Sequence, residues 1–370
     1  MDMSNHPTAL ILWHFYGTLL KELVVLLLIL GGSLWWRRYH QSMNKPPTNG
    51  EPSILARRIL YWGFGGLWIL AGLLQAQPAM STEFAPHYLV PNLNGQPFWL
   101  FKLMESGVVL WARHPIFWDT VAVWLQLGIG VAVIWGREKR LGRVALWVAM
   151  AWAFWVWVMG EGIGGLLIPG ENSWLAGAPG AALLYGLASG LLLIPVQKFT
   201  VPRVKRRIAR GFSFLWGLLL LLQLWPRDGY WTGQVLASAT LSMAKMPQPA
   251  WISAPVYATA GLMAKHPALI NALVVLALAL LTIWWAIRPG RAVAWTTACW
   301  VVLTWALCQD YGVLGGLATD PNTGLPVLIF TFTFLSLRSG SRPGREPYAL
   351  GANKGDRIPM LKPEAMMDGD

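Results

Sequence analysis

Cysteine is nearly missing from this chain, with two residues, Cys299 and Cys308, among 370. Nine positions apart on one expected helix, they are separated by about 13 Å of rise and cannot bridge each other, which leaves no disulfide framework and no thiolate metal motif. Charge is scarce too, at 12% of residues against 55% hydrophobic, a balance outside that of soluble domains. No P-loop, nucleophile elbow, zincin helix or CxxC pair occurs, so the common nucleotide, hydrolase and dithiol signatures are missing. Gly164-Gly165 and Gly315-Gly316 read as bends or close helix contacts.

What the chain has is long apolar runs. Segments of about 20 residues, enough to cross a bilayer, lie near 15–36, 58–77, 115–135, 143–161, 175–196, 209–226, 267–287, 291–308 and 323–337. The expected fold is an all-α polytopic membrane helical bundle of nine transmembrane helices. With the N-terminus outside, the inner segments 37–58, 136–143, 198–210, 288–291 and 338–370 hold 23 of the 29 lysines and arginines. That asymmetry predicts an N-out, C-in chain in the cytoplasmic membrane of a bacterium or archaeon. It also explains the net charge of +12 through the lipid bilayer as partner, with no nucleic acid. No basic region precedes the first run and Arg37/Arg38 follow it, the pattern of a retained span. Lys21 and Glu22 are expected to pair at its outer side, with residues 7–17 as an alternative interfacial lead.

The chain also reads itself twice. At an offset of 148, Trp68, Gln75 and Pro78 fall on Trp216, Gln223 and Pro226, and Arg143, Trp147, Trp152 and Trp157 fall on Arg291, Trp295, Trp300 and Trp305. Such agreement points to a tandem duplication. In each unit a span ends in Gln-x-x-Pro, an outer segment follows (79–113 or 227–265), and a His-Pro pair opens the next span. A basic turn, a Trp-rich span, a polar corner and a fourth span complete it. Four spans is an even number, so the copies share one orientation as parallel repeats. The division is an N-terminal helix with basic linker (1–57), repeat one (58–197), linker and repeat two (198–337), and a basic, disordered tail (338–370). The outer segments are expected to form interfacial helices, with Trp99, Leu103 and Leu110 in the headgroup region.

Polar residues gather at the outer ends of the spans, where an ionisable group near membrane depth points to function. They are Gln75, Gln77, His114, Asp119 and Glu161 in one unit, and Gln223, His266, Asn271, Gln309, Asp310 and Asp320 in the other. Glu161, inside Met159-Gly160-Glu161-Gly162, is the first candidate for proton exchange, or else a helix-end carboxylate bonded to nearby amides. His114 and His266 are either helix-start residues or a proton-handling or metal-binding pair that titrates near neutral pH. His14, His114 and His266 include the imidazoles a haem would need. Met80, Met104, Met243, Met246 and Met263 are core packing or thioether ligands for copper. Gln75, Asp119, Gln223, Asn271, Gln309 and Asp310 are the candidate cofactor-binding residues; no dedicated metal site is expected.

Arg58 to Pro78 (RILYWGFGGLWILAGLLQAQP) resembles the opening helix of the DoxX-like membrane family, with an arginine before a glycine-containing, leucine-rich helix that ends in a polar residue and proline. The resemblance covers 58–196 and, more faintly, 206–337, and it implies a four-span unit associated with redox chemistry, as in quinone-linked subunits. The chain departs from that pattern in lacking the family's first-helix lysine, near which Gln75 stands here. The expected function is a redox-associated membrane subunit with an outward-facing site, a quinone as cofactor and a redox partner protein. A small-molecule or metal transporter and a non-catalytic assembly or anchor protein are the alternatives.

Overall fold

Proline opens several of the long helices, at the first turn, where a missing N–H costs nothing. The computed structural model describes residues 9–40, 51–232, 234–245, 248–312 and 317–337. Among the described residues there is no strand. The α-helices in order are α1 (Ala9–His40), α2 (Glu51–Gln75), α3 (Met80–Phe84), α4 (Phe98–Arg113), α5 (Pro115–Trp135), α6 (Arg140–Trp155), α7 (Ala181–Leu192), α8 (Val201–Leu224), α9 (Val235–Ala244), α10 (Ala250–Lys265), α11 (Pro267–Ile287), α12 (Arg291–Cys308) and α13 (Gly324–Ser336). Among the described residues six stretches are long and apolar enough to cross a membrane: Ser53–Gln75, Pro115–Trp135, Arg140–Gly160, Val201–Leu224, Pro267–Ile287 and Arg291–Cys308.

On α11 the exposed residues Leu269, Leu273, Leu276, Leu280, Ile283 and Ile287 form one stripe, while Asn271, Val274, Leu278, Leu281 and Trp285 are buried. An apolar stripe on the outer face is the inverse of a water-soluble helix and marks a surface solvated by lipid. The molecule is a helical membrane protein.

Several boundaries differ from expectation. α7 is short, 12 residues against the expected 175–196, whereas α13 with 13 residues follows the expected 323–337 closely. Residues 175–180, expected in a span, are irregular because Gly177 and Gly180 take φ of +97° and +90° around Pro179. α6 widens into a π-type turn at Val156–Gly160, so Glu161 lies just past the helix and not within it. α1 is already helical from Ala9, which removes the separate lead over 7–17. Glu22 accepts a hydrogen bond from the Thr120 hydroxyl (3.0 Å) in place of the expected pairing with Lys21. α2 begins at Glu51 and α8 at Val201, so both linkers are shorter than their composition suggests. The tail 338–370 lies outside the described residues.

Packing repeats between the halves. α2 pairs with α5 and α8 with α11, and α6 packs on α7 as α12 packs on α13. The α2–α5 contact is backbone to backbone, since a Cβ on Gly130 would lie 2.6 Å from the Gly65 carbonyl oxygen. α13 crosses to the other half and lies on α2, with Phe330 and Phe64 rings 5.1 Å apart.

At the end carrying the basic turns, buried Arg57 ties three elements together. Its guanidinium donates to both Glu138 carboxylate oxygens (2.8 and 3.1 Å), the Tyr61 hydroxyl (3.1 Å) and the carbonyls of Leu192 (3.2 Å) and Ile194 (2.9 Å). The Leu192 carbonyl is one that the last turn of α7 leaves without a helical partner, and Ile194 lies just beyond that end.

Candidate functional site

The opposite end holds the polar residues. α2 ends at Gln75, α5 begins beside Asp119, and α6 ends before Glu161, which turns back toward the start of α7. The amide of Ala182 donates to Glu161 Oε1 at 3.1 Å, placing the carboxylate at the positive end of that helix. The approach is very close: a Cβ on Gly180 would lie 2.1 Å from Glu161 Oε2. The indole N–H of Trp157 holds the Pro179 carbonyl (2.8 Å) and so fixes the loop.

Between α2, α4, α5, α6 and α7 lies a cavity of about 440 Å³, within the range of small-molecule sites. Its walls are mostly apolar and include eight aromatic residues, among them Trp68, Trp111, Trp118, Trp152 and Tyr185. Two π-type turns, Ala85–Leu89 and Val156–Gly160, contribute Tyr88, Leu89, Val156 and Met159 to the lining. Such turns recur at functional sites, because they displace side chains from the regular helical register. Thr319 and Asp320 arrive from the other half, on a loop fixed by Gln77 to the Ala318 carbonyl (3.1 Å) and by Tyr88 to the Leu317 carbonyl.

Four buried polar atoms without a hydrogen-bond partner belong to residues that line this cavity: Glu161 Oε2, the Tyr185 hydroxyl, Trp118 Nε1 and Trp152 Nε1. Buried polar groups are almost always satisfied. The N–H of Trp152 is unpartnered in both halves, since that of its counterpart Trp300 is too, so the atoms that single out this cavity are Glu161 Oε2, the Tyr185 hydroxyl and Trp118 Nε1. Burial holds the carboxyl of Glu161 well above the ordinary carboxylate range, and the charge of Asp320 adds to the effect. Asp320 is raised by burial as well, against hydrogen bonds from the Asn322 amide and the Thr319 hydroxyl. Two carboxyls facing one apolar cavity share protons readily.

The other candidates are placed as follows. Gln75 lines the cavity and donates through Nε2 to Asp119 Oδ1; fully buried Asp119 stands behind it, with Oδ2 unpartnered. Gln223 and Asn271 repeat that bond in the second half (2.6 Å). Gln309 is fully buried between the Trp174 carbonyl (2.7 Å) and the Thr323 hydroxyl (3.0 Å). Ser173 donates its hydroxyl to Gln223 (2.7 Å) and the Trp174 carbonyl accepts from Gln309, so the 173–174 segment meets two of these three residues. Asp310 accepts from Gln248 (3.2 Å) and the Gly312 amide (3.0 Å) outside the cavity, and burial raises it to about 6.

His114 and His266 are exposed N-caps of α5 and α11, and neither lines the cavity, so the structure places them as helix-start residues and not beside Glu161. His14 is exposed as well. Among the described residues no three of His, Cys, Asp and Glu come together as a metal-binding group. Met80, Met104 and Met263 are buried in the core; Met246 lies outside the described residues. Tyr185, Trp118 and Gln126 are lining residues that the sequence did not single out, and Trp152 lines the cavity from the Trp-rich span of the repeat. Trp is so frequent here, 24 of 370 residues, that only position distinguishes one from another. Compared with known proteins, the chain matches no family model, no curated protein and no solved structure.

Proposed function

We propose that this membrane protein is a redox-associated subunit whose cavity takes the head ring of a quinone. The observation that carries the reading is that Glu161 Oε2, the Tyr185 hydroxyl and Trp118 Nε1, all unpartnered and buried, belong to residues that line one largely apolar cavity. Ring carbonyls suit the hydroxyl of Tyr185 and the indole N–H groups, and the apolar wall suits an isoprenoid. Reduction to the quinol consumes two electrons and two protons. Glu161 passes a proton to a ring oxygen, with Asp320 beside it as a second proton site, while a redox partner protein supplies the electrons. The resemblance of Arg58–Pro78 to the DoxX-like family points the same way. In this reading the chain has nine spans, N-out and C-in, as two parallel four-span repeats after α1, and the cavity opens outward in a bacterial or archaeal cytoplasmic membrane.

Purification in mild detergent, with extraction and analysis of quinone and a visible spectrum, tests it. The expected result is about one quinone per wild-type chain and a several-fold loss in Glu161→Gln. A wild-type protein free of quinone overturns the reading.

A cation transporter is the second reading. It is favoured by Glu161 and Asp320 facing one cavity that no Lys or Arg lines. Uptake of a lipophilic amine into proteoliposomes, lost in Glu161→Gln, would select it.

A further inference from the structure

The two halves differ in one respect. Position by position, the cavity wall of the first half has a counterpart in the second: Trp68 and Trp216, Gln75 and Gln223, Val156 and Thr304, Glu161 and Gln309 at one offset. The matching hydrogen bonds Gln75–Asp119 and Gln223–Asn271 place the two sets in the same register. Trp157 to Pro179 and Trp305 to Pro321 (2.9 Å) do the same at the corners. In the first half these residues enclose a cavity. In the second they enclose Trp174.

Trp174 is fully buried, and its ring meets Trp216 edge-on with centroids 5.0 Å apart. Its indole N–H donates to the Thr304 hydroxyl (2.8 Å). The side-chain amide of Gln309 donates to its carbonyl (2.7 Å), and neighbouring Ser173 donates its hydroxyl to Gln223 Oε1 (2.7 Å). The segment comes from the first half, on the 161–180 loop, and reaches across.

The wall residues change to match. Ala71 and Ala122 line the cavity, whereas their counterparts Leu219 and Val274 share the buried cluster with Trp174. Among the described residues nothing donates to Gln75 Oε1, the atom whose counterpart accepts from Ser173. Glu161 Oε2 is also unpartnered, where Gln309 is fully bonded.

We infer that Trp174 is a built-in occupant of a second copy of the site, and that the open cavity of the first half takes a flat aromatic ring of indole size in the corresponding place between Trp68, Gln75, Val156 and Glu161. The O–H or N–H donor of that ring meets Gln75 Oε1 or Glu161 Oε2, because the Val156 side chain offers no acceptor where Thr304 does. This deepens the quinone reading and rests on it only for the redox role; a hydroxylated ring is the quinol form of that guest.

The test uses the full chain in mild detergent with radiolabelled indole in equilibrium dialysis, counting saturable binding above an empty-micelle blank. Wild type is expected to bind one indole per chain and Trp174→Ala two. Giving the first half the side chains of the second, Ala71→Leu with Ala122→Val, removes the wild-type site and leaves one in the Trp174→Ala background. A wild type without a saturable site, or binding untouched by the Ala71/Ala122 pair, overturns the inference. If Trp174→Ala does not fold, that pair in the wild-type background still decides. A chain that binds indole in this pattern yet copurifies with no quinone keeps the ring site and loses the redox role.

Discussion

Gly180 and Glu161 are the residues on which the cavity's chemistry turns. Gly180 holds φ of +90° and lies so close to Glu161 that a Cβ would meet the carboxylate. Gly180→Ala therefore strains the backbone and displaces the acid at once, and it is expected to cost about 2–3 kcal/mol. The check is a lowered midpoint of thermal unfolding in detergent, together with loss of cavity binding. Asp310 supplies a pH signature. Its carboxyl is raised from 3.8 to about 6, so the folded chain holds a proton that the unfolded chain releases. The stability from this group is thus complete below pH about 4 and is lost as pH rises through about 6. Asp310→Asn should flatten that part of a stability-against-pH curve, and a curve identical to wild type would contradict the assignment. Gln75, Asp119 and Glu161 were legible as candidates because polar side chains at the ends of apolar runs are costly. Their joint geometry was not legible, because it depends on three helix ends meeting. Tyr185 gave no signal at all: nothing in a run such as Ala-Leu-Leu-Tyr-Gly says which way a tyrosine faces.

Among the elements, α7 depends most on its two ends. Glu161 accepts from the Ala182 amide at its N-terminus and Arg57 donates to the Leu192 carbonyl at its other end, so a helix of 12 residues is tied at both ends by a side chain from another element. Arg57→Met leaves Glu138 and two carbonyls unpaired. Glu138 is half exposed and is rehydrated, so the loss comes mainly from the carbonyls and is expected to be about 1–3 kcal/mol, read from denaturant midpoints of the purified protein. The lipid-facing stripe of α11 makes a separate prediction. Leu276→Lys places a charge in the middle of that stripe at a cost of about 3 kcal/mol, and a fall in membrane-inserted protein measures it. Leu276→Ala, which keeps the face apolar, should leave insertion nearly unchanged. The stripe is legible in the sequence from the 3.6-residue period. The shortness of α7 is not, because the loop before it is itself rich in apolar residues and extends the apparent span; α13 matches its expected extent.

For the whole molecule, the prediction is orientation. A reporter fused after residue 370 should be active only where it folds in the cytoplasm, as the concentration of lysine and arginine in alternate connections demands. Activity on the outer face would reverse the topology and turn the cavity inward.

Sequence by itself determined the membrane class, the helical content, the doubled plan and the end of the bundle where polar groups collect. These follow from local composition and period, since a bilayer satisfies backbone groups only within helices and tolerates polar side chains mainly at their ends. Only the tertiary structure decided that the two halves exchange loops. Asp320 from one half faces Glu161 in the other, and Trp174 fills the second copy of the site while the first stays open. The reason is physical: whether a site is a cavity or a core depends on which side chain from a distant loop occupies the volume, and aligning equivalent positions carries no record of that.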